Sequence, residues 1–405
     1  MSDKYMPLDT KADDKMFGPL ALGVQIVLCC SFYSMDYDFT SMKDTDSSSV
    51  YNFYVGVALM MFVGFGYLMT FLKSYGLGAV GFTMFLTCLG VQFAMVVENF
   101  FATGIEKATL DFMDLLNGNF AIAAVLISFG GLIGKISPTQ CLVLCVLELT
   151  FYCANKIYVL TNYFAIADCG GTIIIHVFGA YFGLAASAVL GAAKNEDLNA
   201  SSYNSDLFSL IGTVFLWLFW PSFVAGGLPA GTEGHSIALL NTVFALLAST
   251  VTTFAIMPMI QDPKNRLGTV PVQNATLAGG VTIGATANLA MGPFGACLIG
   301  ILAGALSTIG FCKPLIKSAV DTCGINNLHG MPGILGGLIS GIIPMLMKDT
   351  GVVVANQFLG LAATLLVAST TGAATGFILK MMGSPPAPFN DVTYWDCADD
   401  IPKAA

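Results

Sequence analysis

The 405 residues include 16 Lys and Arg against 25 Asp and Glu, so charged types make up only 10% while hydrophobic types reach 56%. A soluble domain carries about 25% charged residues, which excludes a soluble enzyme, a disordered chain and a coiled coil and implies a polytopic membrane protein. The net charge of -9, without a basic patch to neutralise phosphates, excludes nucleic acid as a partner.

In chain order, residues 1–16 mix Asp and Lys and read as a cytosolic tail. The apolar run at 17–34 follows an acidic leader and precedes no A-x-A cleavage site, so an uncleaved first span is favoured over a signal peptide. Further apolar blocks lie near 51–72, 77–101, 119–136, 139–161, 169–193, 207–225, 236–260, 272–291, 293–312, 325–346 and 351–382. Each is close to the roughly 20 residues a helix needs to cross a bilayer. The expected fold is therefore all-α, with about twelve transmembrane helices over 17–382 and a cytosolic tail at 383–405.

With the N-terminus inside, twelve basic residues, Lys264 among them, fall on the cytosolic side. Only Lys43, Lys107, Lys156 and Lys348 fall outside, which fixes the orientation by the positive-inside rule. An even number of spans returns the C-terminus to the cytosol. The outer loops carry Asp44, Glu106, Asp111, Asp114 and other acids, a mildly acidic face that weakly favours cations. The eleven cysteines lie mostly in apolar segments and read as small hydrophobes.

Two segments share one pattern. Residues 168–183 (DCGGTIIIHVFGAYFG) and 321–336 (DTCGINNLHGMPGILG) both fit D-x2-G-x4-H-x6-G, pairing Asp168 with Asp321 and His176 with His329. The copies lie in the sixth and eleventh apolar blocks, an odd offset of five, so they run in opposite directions, as in an inverted 5+5 helix repeat whose site lies near the midplane. Each Asp stands at a helix entry, where a carboxylate caps free amides. Each histidine lies eight residues deeper, about 12 Å at 1.5 Å per residue. Counted from opposite faces of a core about 30 Å thick, the two imidazoles arrive at similar depth and would line one pore. A buried structural role for each histidine is the bland alternative, but paired polar groups inside spans point to function. A metal site needs three or four ligands, and His235, alone in an outer loop, supplies no cluster; no metal or cofactor is expected.

These residues, with FVGFGYLMTFL, FGGLIGKISPTQ, SDLFSLIGTVFLWLFWPSF, QNATLAGGVTIG and the tail FNDVTYWDCADD, make the chain resemble the Rh glycoproteins, a branch of the ammonium transporter superfamily, over nearly its whole length. The resemblance implies eleven core helices plus an extra first one, a homotrimer in the plasma membrane, and one pore per subunit. It implies pore histidines at His176 and His329, an acidic entrance residue at Asp168 with Asp321 as its inner-repeat counterpart, and two stacked gate phenylalanines at Phe120 and Phe223. Function would be conduction of ammonia, ammonium losing its proton at the mouth, with carbon dioxide as a rival or second gas. Lys156 replaces a vestibule glutamate of some relatives and puts cation recruitment there in doubt. No tryptophan lies near the outer ends of the fourth and fifth pore helices; the three are Trp217, Trp220 and Trp395.

Other polar residues are ambiguous. Glu148 reads as a helix-contact group or a proton-relay carboxylate, and Glu98 as an interfacial residue. Asn326 and Asn327 are expected to satisfy backbone at an irregular helix start. The sequons at Asn199 and Asn274 are expected to go unused. A membrane enzyme would need a nucleophile or metal cluster at the midplane, and a scaffold would tolerate loss of a histidine; the sequence fits neither.

Overall fold

Apolar segments of this length satisfy their backbone most simply as helices, because hydrocarbon offers no hydrogen-bonding solvent. A computed structural model describes residues 14–40, 42, 45–104, 108–193, 198–260, 266–313, 316, 319–347 and 350–397. Lys43, Asp44, Glu106, Lys107, Lys264 and Lys348, weighed above for sidedness, lie outside the described residues.

Twelve helical segments follow one another. They are α1 (Phe17–Phe32), α2 (Ser48–Phe71), α3 (Gly76–Thr103), α4 (Phe112–Leu132), α5 (Pro138–Tyr163), α6 (Thr172–Leu190) and α7 (Tyr203–Ala225). The series continues with α8 (Glu233–Ile260), α9 (Thr269–Ile283), α10 (Gly292–Cys312), α11 (Asn326–Leu346) and α12 (Val354–Met381). Ten are long and apolar enough to cross a membrane. The other two differ for opposite reasons. α1 has 16 residues and is largely exposed, with Gln25 bonded to Gln92 of α3. α9 has 15 residues, continues through a tight turn at Gly284–Thr286, and is buried from Pro271 to Ile283. Because α9 meets protein on every side, its Gln273, Asn274 and Thr276 escape the cost of facing lipid. A two-residue parallel pairing of β1 (Asp36–Tyr37) with β2 (Thr109–Leu110) ties two loops together.

The helices form two halves, α2–α6 and α7–α11, with α6 and α11 entering from opposite faces. Small residues let neighbours approach closely. Gly372 and Gly376 of α12 lie so near α6 that a Cβ on either would fall within 3.0 Å of the backbone at Phe182 or Ala186. Gly300 and Gly304 of α10 meet Ala245 and Ser249 of α8 in the same way.

Both ends of the described chain converge on the connection between α4 and α5. The Asp14 carboxylate accepts from the Thr139 hydroxyl and, at 2.8 Å, from the Thr139 amide. Gln140 Nε2 donates to the carbonyls of Leu379 and Gly383, each at 2.7 Å. The Phe389 amide donates to Gly134 O at 2.9 Å. Beyond it, Asp391 caps α3 by accepting from the amides of Leu77 (2.8 Å) and Gly78 (2.7 Å). Burial pushes the Asp391 carboxyl up to about 6, against the pull of those two amides.

Candidate functional site

The two copies of the repeat build the same device. In each, an Asp is followed by a glycine in the left-handed region, Gly171 (φ 69°) and Gly324 (φ 72°), where any other residue is strained. The Asp side chain then turns back onto the first amides of the helix. Asp168 Oδ2 accepts from Ile173 N (2.8 Å) and Ile174 N (2.7 Å). Asp321 Oδ1 and Oδ2 accept from Ile325 N and Asn326 N, each at 2.8 Å. Both helices open with a widened π turn, Thr172–Val177 and Asn326–Gly330, and each turn carries its histidine. Such turns are rare and concentrate at functional sites.

The result is a meeting of the two rings. His176 Nδ1 and His329 Nδ1 lie 3.1 Å apart, both side chains almost wholly buried. The rings are nearly parallel, 12° apart, with centroids 5.1 Å apart. A bond between two Nδ1 atoms requires that one carry the proton and the other accept it. His176 Nε2 is buried and has no partner among the described residues.

Aromatic rings extend the row at both ends. Trp220 of α7 lies 5.6 Å from His176 at 18°, and Phe65, in the π turn of α2, lies 6.1 Å from His329 at 15°. Sequence reasoning missed both. Trp220 is one of three tryptophans and sits three residues before Phe223, which is the only hint available; nothing in the sequence distinguishes Phe65. Phe223 lies 5.8 Å from His176 and 5.0 Å from Phe120. The expected stacking of the two phenylalanines is corrected here. Their rings cross at 78°, edge to face, the arrangement the aromatic quadrupole favours over a face-to-face sandwich.

On the Asp168 side, a cavity of about 140 Å³ is lined by Phe120, Phe223, Tyr152, Lys156 and Asp168 among others. Asp168 Oδ1 is buried there with no partner among the described residues. Burial pushes this carboxyl up to about 6, although the amides of Ile174 and Ile173 oppose the shift. Burial also pushes Asp321 up, opposed by its own two amides and by the Lys135 ammonium. Lys135 Nζ donates to Ser187 Oγ and Val320 O, each at 2.7 Å.

The remaining polar residues fall into place by contact. Glu148 is fully buried, and its Oε1 lies 2.6 Å from Ser128 Oγ, which lies 2.7 Å from Gly179 O. It joins α4, α5 and α6 just beyond His176, as a helix-contact group. Glu98 is not merely interfacial: its Oε1 pairs with Lys156 Nζ at 2.8 Å. Asn326 and Asn327 do not satisfy the irregular helix start with their side chains, which is a second correction. Asp321 takes the amides, and Asn274 Nδ2 donates to Cys323 O at 2.8 Å. Asn274 is buried and in no position to carry a glycan. His235 lies in the first turn of α8, not in a loop, and is buried against Phe53, 5.0 Å away; among the described residues no group of three His, Cys, Asp or Glu could hold a metal ion.

Known proteins share the sequence and the fold of this chain. The model of the Ammonium Transporter Family matches residues 20–384. The chain is 40% identical to ammonium transporter Rh type B of Bos taurus over 389 residues, covering 88% of this chain and 85% of the relative. It is 36% identical to ammonium transporter Rh type A of Bos taurus, covering 94% and 95%. Among solved structures it resembles Rh50 of Nitrosomonas europaea, with a TM-score of 0.80, 32% identity and coverage of 88% and 94%. Mep2 of Candida albicans (TM-score 0.70, 19% identity, coverage 85% and 86%) shares the fold.

Proposed function

The chain belongs to the Rh branch of the ammonium transporter family, and from that premise we propose that it conducts ammonia through each subunit along the His176–His329 row. It is an integral membrane transport protein, not an enzyme. The finer mechanism is our reading of its geometry.

A desolvated ammonium ion is costly in a low-dielectric interior. Loss of its proton at the mouth leaves a neutral molecule that needs only a few hydrogen bonds. The observation that carries the reading is the buried, unpartnered Nε2 of His176 beside the 3.1 Å Nδ1–Nδ1 contact. The two rings share one proton at Nδ1 and leave an outer nitrogen for the permeant, while Trp220 and Phe65 keep the surroundings apolar. Two adjacent imidazolium ions would repel, so the pair carries at most one added charge. Phe120 and Phe223 form the gate between cavity and histidines, and Asp168 shapes the entrance by holding the first turn of α6. Asp321 does the same for α11 at the other end. We place the Asp168 end outside and both termini in the cytosol of the plasma membrane, on the lysine asymmetry, and expect a homotrimer.

The test is flux through purified protein in liposomes under ammonia and carbon dioxide gradients in parallel. Acceleration of ammonia flux over protein-free liposomes supports the reading. Acceleration of carbon dioxide alone makes this a carbon dioxide channel, and acceleration of neither refutes conduction of both gases.

A further inference from the structure

The cavity at the Asp168 end contains a cation of its own. Lys156, in the π-turn end of α5 (Asn155–Tyr163), lines that cavity together with Asp168. Its Nζ is held 2.8 Å from Glu98 Oε1 of α3, and the two side chains are only 21% and 16% exposed. A lysine head is chemically an alkylammonium: one positive charge and three N–H donors, the donor set of methylammonium. It is anchored by a carboxylate at the edge of the space a permeant must enter.

We infer that Lys156 is a specificity-determining residue. Its head group stands at the edge of the cavity as a tethered ammonium, and Glu98 holds it there. The inference rests on the conduction reading proposed above. Its consequence is that Glu98, the carboxylate behind Lys156, is already paired when a cation arrives. Asp168, the carboxylate among the residues that line the cavity, commits Oδ2 to two backbone amides and keeps only the buried Oδ1. The Lys156 wall therefore does not concentrate ammonium, and transport follows the neutral species.

The charges make opposite predictions for the two partners. Removing the lysine charge leaves Glu98 unpaired behind the cavity wall, where a low-dielectric boundary focuses its field on small cations. Removing the glutamate charge leaves the lysine unopposed. Removing both restores the starting balance. An ion pair serving only to tie α3 to α5 makes none of these predictions, because its loss alters stability without changing how uptake saturates.

The experiment uses the full chain in liposomes at equal density, with wild type, Lys156→Gln, Lys156→Arg, Glu98→Gln and the Lys156→Gln/Glu98→Gln double variant. Methylammonium uptake is measured against concentration. The half-saturating concentration is expected to fall about tenfold in Lys156→Gln, the attraction of one unpaired carboxylate. It should rise in Glu98→Gln and stay near wild type in Lys156→Arg and the double variant, with the maximal rate preserved throughout. If Lys156→Gln folds poorly, the upward shift in Glu98→Gln remains a decisive readout. Unchanged half-saturation in the single variants, or a double variant shifted as far as Lys156→Gln, overturns the inference. His176→Leu is included as the arm for conduction itself. If it slows flux while the Lys156 and Glu98 variants match wild type, this inference falls and the conduction reading stands. If it conducts normally, both fall.

Discussion

The Asp168 and Asp321 ends carry the same four-residue signature and the same backbone device, yet they use their carboxylates differently. Asp168 satisfies two amides with a single oxygen and leaves Oδ1 buried without a partner among the described residues, at the edge of a cavity. Asp321 gives one oxygen to each amide, with the Lys135 ammonium acting on it as well. One end keeps an acceptor in reserve, and the other commits both oxygens to the fold. An inverted repeat can thus preserve the geometry that delivers two histidines to one point while assigning the two mouths different duties.

The sharpest way to break this comparison is to replace each carboxylate by an amide. An Asn at 168 still offers one oxygen able to accept both amides, so Asp168→Asn should leave thermal stability in detergent near wild type. An Asn at 321 can meet only one amide with oxygen and turns an NH2 group toward the other. Asp321→Asn should therefore lose about 1–3 kcal/mol, the cost of an unsatisfied buried donor, visible as early aggregation in a size-exclusion heating series. Equal losses in both variants would erase the distinction.

A smaller effect is expected from the two left-handed glycines. Ala at either position pays about 1 kcal/mol of backbone strain. At Gly171 the new methyl meets the flexible end of Ile175, whereas at Gly324 it runs into the amides of Asn327 and Asn274. The same heating series should rank Gly324→Ala below Gly171→Ala; the reverse order would show that the asparagine cluster yields more easily than Ile175.

The smallest effect separates the ends by pH. With the Asp168 carboxyl pushed up to about 6, it is ionised above that value and takes a proton below it. Flux per unit of free ammonia should then decline as the pH falls through about 6 and Asp168 takes up its proton. Asp168→Asn should show no such step. A step that survives the substitution belongs to another group.

Much of this molecule was readable before its structure. Hydropathy alone places helices at all twelve apolar blocks, because crossing a bilayer demands length and apolarity that few other requirements imitate. The meeting of His176 with His329 follows from two spaced motifs on the sixth and eleventh helices, an odd offset that turns one copy against the other. What was hidden depends on contacts between distant segments. The Glu98–Lys156 pair joins residues 58 positions apart. Trp220 and Phe65 reach the histidines only through the packing of α7 and α2. The edge-to-face crossing of Phe120 and Phe223 is set by quadrupole geometry that no spacing encodes. The π turns under both histidines leave no mark in composition, and the docking of Phe389 and Asp391 onto α3 and the α4–α5 connection depends on where four separate ends arrive.

The central claim is that the His176–His329 pair carries the permeant. Methylammonium and ammonia uptake should be compared in liposomes holding wild type, His176→Leu or His329→Leu at equal density, with the oligomeric state checked for each. Loss of a ring removes the shared proton and the polar contact it supports, so both variants should slow uptake by about tenfold, the rate equivalent of one lost hydrogen bond, while expression and assembly stay largely intact. If both leucine variants conduct like wild type, the histidines are packing residues and the account is wrong.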